Sequence, residues 1–254
     1  TAQGNTDGND KGDFYYTPPS DFIALCTDNL DDPAIALPTD YFNTATYAGT
    51  GASQTIAVGF QPDFVWAKSR NTAVNHVLYD SVRGTGRLES NNTNAEGTRD
   101  GFAGFDSNGF DVDSDGGGGG INYPSGRTYV GWAWKAGGTA SSNGDGSITS
   151  SVSANTAAGF SIVGWTGTGS NATVGHGLSQ APELVINKSR SQGNVYAGWT
   201  VYSKPTWVST SNTNLLYLNT TAAEADDTNI WQDAPTATVI QPQGGAWAGI
   251  GVSG

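Results

Sequence analysis

Residues 42–51 read FNTATYAGTG, and residues 160–169 read FSIVGWTGTG, 118 residues further on. The agreement does not stop there. GFQPDFVWAKSR (59–70) returns as GLSQAPELVINKSR (177–190), with Pro62 facing Pro182, Asp63 facing Glu183, and Lys-Ser-Arg repeated at 68–70 and 188–190. LESNNTNAE (88–96) returns as LYLNTTAAE (216–224). Three blocks in one order mark two copies of a module of about 110 residues, an ordinary domain size. A duplicated module must fold the same way twice, which narrows the choice of fold more than any single motif here.

The blocks read as strands. FSIVGW and ELVINKSR are short apolar runs, and RTYVGWAWKAGG (127–138) alternates, with Tyr129, Gly131 and Ala133 on one face and Val130, Trp132 and Trp134 on the other. Its expected counterpart is AWAGIGVSG at the end of the chain, with Trp247 opposite Tyr129. Asn108-Gly109 and Asn143-Gly144 signal turns. Two stretches alone suit a short helix, TNAEGTRDGFAGF and TTAAEADDTNIW. The composition agrees: 36 glycines with 8 Trp, 10 Tyr and 9 Phe favour short strands, tight turns and real cores. The expectation is an all-β chain of two tandem β-sandwich modules, jelly-roll or concanavalin-like. Residues 1–27 form a polar connector stiffened by Pro18-Pro19, 28–137 the first module, 138–147 a Gly/Ser linker and 148–254 the second module. Whether the copies make two sandwiches or one larger one stays open.

Charge excludes some classes of function. The net charge is −12, and the 11 Lys and Arg are scattered, so nucleic-acid binding is not expected. No apolar run reaches the length of a membrane helix. Cys26 is the one cysteine, which excludes an internal disulfide framework. The chain has no methionine, so a processed chain or part of a longer one is expected.

FYYTPPSDFIALCTDNLDDPAI, GFQPDFVWAKSR, LYDSVRGTGRLESNNTNAE, DSNGFDVDSDG and YVGWAWKAGG together resemble a module of bacteriophage virion proteins, often from marine phages. Those are tail-fibre or other particle-surface proteins in which a concanavalin-like or SPRY-like domain often precedes the ALCT segment. NGDGSITSSVSANTAAGFSIVGWTGTG onwards resembles the tandem partner seen in the same proteins. The resemblance runs from Phe14 to about Ile240 and carries no catalytic residues with it; the chain departs from the pattern at GGAWAGIGVSG. It implies a non-enzymatic structural protein on the virion surface, outside the cell: a tail fibre, head fibre or capsid decoration serving host attachment. The implied partners are other virion proteins, further copies in a homo-oligomer (a trimer fits) and host surface glycans. The alternative is a carbohydrate-binding adhesion module.

The residues offer few chemical sites. DVDSDGGGGG (111–120) opens like a calcium loop, with Asp111, Asp113 and Asp115 at positions one, three and five and Gly116 at six. Position twelve is Asn122 rather than a bidentate carboxylate, and the matching stretch of the second copy, TATVIQPQGG, has no acid. A strand ending in solvated acids and an open glycine loop is the competing reading, and no cofactor other than calcium is considered. His76 and His176 are not equivalent in the repeat and make no zinc site unaided. Glu96 and Glu224 are equivalent, which suits a structural role, a helical cap for example, better than one half of a glycosidase pair. Among the aromatics, Trp66, Trp132 and Trp165 are expected in cores. Trp207, with Tyr202 and Trp199, is the candidate sugar-stacking surface.

Overall fold

The computed structural model describes residues 3–31, 33, 35–98, 100–191, 198–204 and 213–244. The chain divides into two compact units, Thr1–Ala36 and Leu37–Gly254.

The first unit is built around a carboxylate. Asp7 is its one buried side chain among the described residues. Asp7 Oδ1 accepts the amides of Asn9 and Lys11, each at 2.9 Å, and Oδ2 accepts Ala24 N at 2.7 Å and Asn29 Nδ2 at 2.6 Å. The Ala24 amide, more than any other group, holds this carboxyl down at about 2. Phe14 closes the loop through an antiparallel bridge to Asn5. The large apolar side chains Tyr15, Tyr16, Phe22, Ile23, Leu25 and Leu30 are exposed, Leu25 at 97%. The segment expected as an extended connector is therefore a hydrogen-bonded knot with a polar centre.

The second unit is all-β among the described residues apart from a 3-10 turn at Pro38–Asp40. Its strands are β1 (Phe42–Ala48), β2 (Gln54–Ala57), β3 (Phe64–Ser69), β4 (Val77–Asp80), β5 (Gly84–Glu89), β6 (Phe102–Asp106), β7 (Gly109–Val112), β8 (Thr128–Trp134) and β9 (Ser141–Asn143). There follow β10 (Ser150–Asn155), β11 (Phe160–Gly164), β12 (Val174–Gly175), β13 (Leu184–Asn187), β14 (Thr200–Ser203), β15 (Asn214–Tyr217), β16 (Ala225–Asp226) and β17 (Val239–Ile240). They form sheets in the orders β1-β8-β3-β4-β5, β2-β7-β6, β11-β10-β9, β12-β17 and β13-β14-β15-β16. Neither stretch expected to allow a helix holds one among its described residues; they carry β6 and β16 instead.

One core joins the five-stranded and three-stranded sheets of the first half. Val65, Val77, Tyr79 and Tyr129 from one sheet meet Ile56, Phe102, Phe110 and Val112 from the other. The rings interlock: Tyr79 stacks on Phe102 at 4.2 Å between centroids, and Tyr47 lies 5.3 Å from Tyr129. This is sandwich packing, with alternate residues of each strand turned inwards. It corrects the expectation for the tryptophans. The buried face of β8 is Tyr129, Gly131 and Ala133, while Trp132 and Trp134 point the other way and are half-buried. The physical reason is space. A Cβ at Gly131 would sit 2.9 Å from the Phe110 ring, so the small face of β8 is the one that lets the aromatic core close. The turn before Gly109 is a two-residue hairpin made by Ser107 and Asn108, one residue ahead of the expected pair.

The repeated blocks fall on corresponding strands: β1 with β11, β3 with β13 and β5 with β15. Single hydrogen bonds recur as well. Val58 N donates to Asn108 O, and His176 N to Thr238 O. Ser81 N donates to Asp63 O, and Lys204 N to Glu183 O. Ser90 N donates to His76 O, and Leu218 N to Trp199 O. The Asn91 side chain caps His76 N at 2.9 Å, and the Asn219 side chain caps Trp199 N at 2.9 Å. The expected counterpart of β8, with Trp247, lies outside the described residues.

The segment 138–147 is not a free linker. It contains β9, which pairs with β10. Asp63 Oδ2 accepts Ala136 N and Gly138 N at 2.8 and 3.2 Å, and Ser153 Oγ accepts Gly137 N at 3.0 Å and donates to Gly138 O at 2.7 Å. Buried backbone groups need partners, and these side chains supply them.

Candidate functional site

The acidic stretch that resembles a calcium loop is a loop tied to its own surroundings. Asp115 is buried; its Oδ1 accepts Gly118 N at 2.8 Å and its Oδ2 accepts Gly120 N at 3.1 Å. Asp111 Oδ1 accepts the Thr55 hydroxyl at 2.6 Å across the β2–β7 pair. Asn122, at loop position twelve, is fully buried and bonded on both ends of its amide. Its Oδ1 accepts Thr50 N and Gln54 Nε2, each at 2.9 Å, and its Nδ2 donates to Ala52 O at 2.8 Å and Asp113 O at 2.6 Å. An asparagine can satisfy donors and acceptors at once, which a carboxylate cannot. The glycines are needed for close approach: a Cβ on Gly120 would run into the Asp100 carbonyl. Asp115 and Gly118–Gly120 are thus packed rather than solvated. No group of three or more His, Cys, Asp and Glu among the described residues stands in a metal-binding arrangement. Burial, and then its hydrogen bond with Asp115, hold the Asp100 carboxyl above the usual carboxylate range.

The proposed sugar-stacking surface is corrected at two of its three residues. Trp199 is 4% exposed and Tyr202 is 2% exposed, so neither offers a ring face to solvent. Tyr202 packs with Leu215, Ile230 and Trp231 in the core of the second half. Its place is set by the strand period: in β14 it faces inward beside Trp231 at 6.1 Å. Trp207 lies outside the described residues. Trp165 is half-buried against the same second-half core.

Trp199 belongs to a junction between the two halves. The outer face of the first sheet carries Phe64, Trp66 and Trp134, together with Leu78 and Leu88. Trp199 lies on Leu78 and Leu88 with Phe64 and Trp66 beside it, and its Nε1 donates to Glu89 O at 2.8 Å. Phe160 of β11 covers the other end, 6.1 Å from Phe64 and 6.3 Å from Trp134 between centroids. One ion pair crosses the rim, and others brace the first half beneath it. Arg190 grips Glu96 through both Nε and Nη2, and Glu96 N donates to Arg190 O at 2.8 Å. Arg83 pairs with Asp80 at 2.5 Å, and Arg87 bridges Glu89 and Asp100. Burial works to raise the Glu89 carboxyl, yet bonds from Asn92, Asn75 and Asn94 and the Arg87 charge outweigh it and leave it below the usual range. Glu96, expected as a helical cap, is a clamp between the halves.

Sequence patterns pointed to part of this junction. The repeated Lys-Ser-Arg singled out Arg190, but not its partner. The same motif places both lysines alike: Lys68 Nζ donates to Ser69 O and Lys188 Nζ to Ser189 O, each at 2.6 Å. Burial lowers both, Lys188 to about 8. The histidines sit apart, as the repeat implied. His76 meets Trp66 edge to face at 6.4 Å, while His176 is buried and contacts Thr236 O at 3.2 Å. Burial lowers both imidazoles.

What the arrangement does chemically is hold a second β body on the outer face of the first sheet. Each charged side chain of the junction is engaged with another part of the chain. No helix among the described residues is long and apolar enough to cross a membrane. No curated protein matches the chain. No solved structure matches it either. Residues 37–247 match one family, and the chain belongs to it: Domain of unknown function (DUF7483).

Proposed function

We propose that this chain is a non-enzymatic structural protein of a bacteriophage particle, built from two tandem copies of one β module. It decorates the particle surface as a tail fibre, head fibre or capsid appendage and serves host attachment. The observation that carries the reading is the recurrence of the same four hydrogen bonds in both halves, Asn91 and Asn219 included. Duplication of a scaffold, with an apolar junction and the Arg190–Glu96 pair joining the copies, suits a projecting rigid body, where many weak contacts sum to avidity. The resemblance to virion modules supports the same reading. The test is imaging of intact particles with an antibody against this chain. Label on tail or capsid surface is expected; a chain found only as a free protein in infected cells would sink the proposal.

A glycan-binding role is the second reading, and one observation favours it. On the outer face of the first sheet the half-buried Trp132 pairs in register with the exposed Thr44. An indole beside a hydroxyl is what a sugar ring stacks on and bonds to. A glycan array comparing wild type with Trp132→Ala and Trp207→Ala separates the readings. Binding lost in either variant supports adhesion, and no binding in the wild type removes it.

A further inference from the structure

We infer that a groove along the joint between the two halves binds a short run of a neutral glycan chain. The inference rests on the glycan-binding reading above and deepens it by naming a site, which is not Trp132.

The groove runs along the segment that the sequence offered as a Gly/Ser linker. Its larger part is a cleft of about 460 Å³, lined by Gln61, Asp63 and Lys135, by the chain at 136–139 and by the end of β10 with its turn at 154–157. A second cleft of about 260 Å³ shares Gly137, Thr139 and Ala154 with it and continues past Ser141 and Ser142. Small-molecule sites span roughly 300–1,000 Å³, so the larger cleft has room for a ligand.

One group in the cleft is a buried carboxylate. Asp63 is 3% exposed. Its Oδ2 already accepts the amides of Ala136 and Gly138. Its Oδ1 has no donor among the described residues and is not sealed in the interior. A carboxylate oxygen in so buried a side chain needs a donor, and the cleft is where one can enter. Glu183, which stands in the repeat where Asp63 does, is exposed and paired with Lys204. The buried acid is therefore a feature of this groove and not of the module.

The polar groups around Asp63 are unpaired as well. The Lys135 ammonium, the Gln61 amide and the Thr139 and Thr156 hydroxyls have no partner among the described residues. Asn155 gives its Oδ1 to Ala158 N at 3.0 Å and keeps its Nδ2. Lys135 and Asp63 line the same cleft yet form no ion pair with each other. That combination selects the ligand. An anion would meet the Asp63 charge, and a cation would meet the Lys135 charge. A sugar hydroxyl donates and accepts at once, so one ring can donate to Asp63 Oδ1 and accept from Lys135 Nζ. The rest of the lining is glycine and alanine, which lets a ring approach the backbone. The Ser141 and Ser142 hydroxyls carry the pattern into the second cleft, so the groove suits a chain of sugars rather than a single ring.

The test is a titration of the isotope-labelled full chain, followed by amide NMR. The probes are the methyl glycosides of glucose, galactose, mannose and N-acetylglucosamine, each to about 10 mM, past the millimolar range of weak binding. The free amino acid glycine is the charged control. With at least one sugar the amides of Gly137, Gly138, Thr139 and Thr156 should shift while the Trp132 indole N–H stays in place, and free glycine should shift none of them. Asp63→Asn keeps an oxygen for the Ala136 and Gly138 amides and puts a donor in place of Oδ1. It should fold, as thermal unfolding checks, and bind about tenfold more weakly. Thr156→Trp changes an exposed position, fills the cleft and should abolish the shifts; it decides the matter by itself if Asp63→Asn does not fold. Groove shifts that survive Thr156→Trp overturn the inference, and so do shifts from free glycine as large as those from the sugars. Shifts centred on the Trp132 indole overturn it but leave the glycan-binding reading standing at that other site. No shift with any sugar overturns it too, and the glycan array then decides that reading alone.

Discussion

In the first half of the β unit, thirteen buried apolar side chains form one core between two sheets. In the second half, the core among the described residues is four side chains around Trp231. Yet three backbone bonds and one asparagine cap recur in both halves. The comparison teaches that particular backbone bonds and a side-chain cap recur between the halves where the described core residues do not. At the junction, Phe160 and Trp199 of the second half pack on the outer face of the first sheet and are covered there.

The comparison breaks first at the large core. Phe110→Ala removes a ring packed against Gly131 and Phe102 and should cost about 3–5 kcal/mol, read as a fall in the midpoint of chemical denaturation. Ile230→Ala in the smaller core should cost about 2 kcal/mol, the low end for such truncations. Equal losses would show that the second core is as tightly packed as the first.

The junction comes next. Trp199→Ala strips cover from Leu78 and Leu88 and leaves the Glu89 carbonyl without its donor, at about 2–3 kcal/mol. Tryptophan fluorescence should shift to the red as Trp66 gains water. If stability falls and the emission of the remaining tryptophans does not move, Trp199 is not the cover of that face.

The shared scaffold makes a finer test. Asn91→Ala and Asn219→Ala each leave a backbone amide unpaired, and each should cost about 1 kcal/mol. Hydrogen exchange at His76 N and Trp199 N should speed up in the matching variant alone. Protection lost at one site but not at the other would deny that the caps are equivalent.

The smallest effect on the β unit is expected from acid, and the first unit is its control. The Asp7 carboxyl is held at about 2 in the folded chain, below an unfolded value of about 3.9. A depressed carboxyl contributes stability that is full above the unfolded value and is lost as pH falls through the folded one. Between about pH 4 and 2 the Asp7 knot should loosen, seen as new proteolytic cuts within residues 1–36. Asp7→Asn should show the same cuts at neutral pH. Cuts that appear first in the β unit would reverse the ranking.

Much of this was legible in the chain. The all-β class followed from alternating runs and turn residues, and the repeat predicted which strands would correspond. Asn122 at position twelve already counted against a calcium loop, because an amide in place of a carboxylate supplies one oxygen and no charge. The repeat likewise set Glu96 apart as structural. Trp199 and Tyr202 were misplaced because an aromatic beside a loop reads the same whether its ring meets water, a sheet from the other half, as Trp199 does, or the core of its own half, as Tyr202 does.

Local chemistry therefore determined the strands and the turns by itself, since each depends on residues close together in sequence. The tertiary structure alone decided which face of β8 is the core, because that depends on the Phe110 ring arriving beside Gly131. It alone turned Asp115 inward onto glycine amides, put Asp7 rather than an apolar residue at the centre of the first unit, and set Arg190 on Glu96. Those outcomes depend on which distant surfaces come into contact, and spacing along a chain does not encode that.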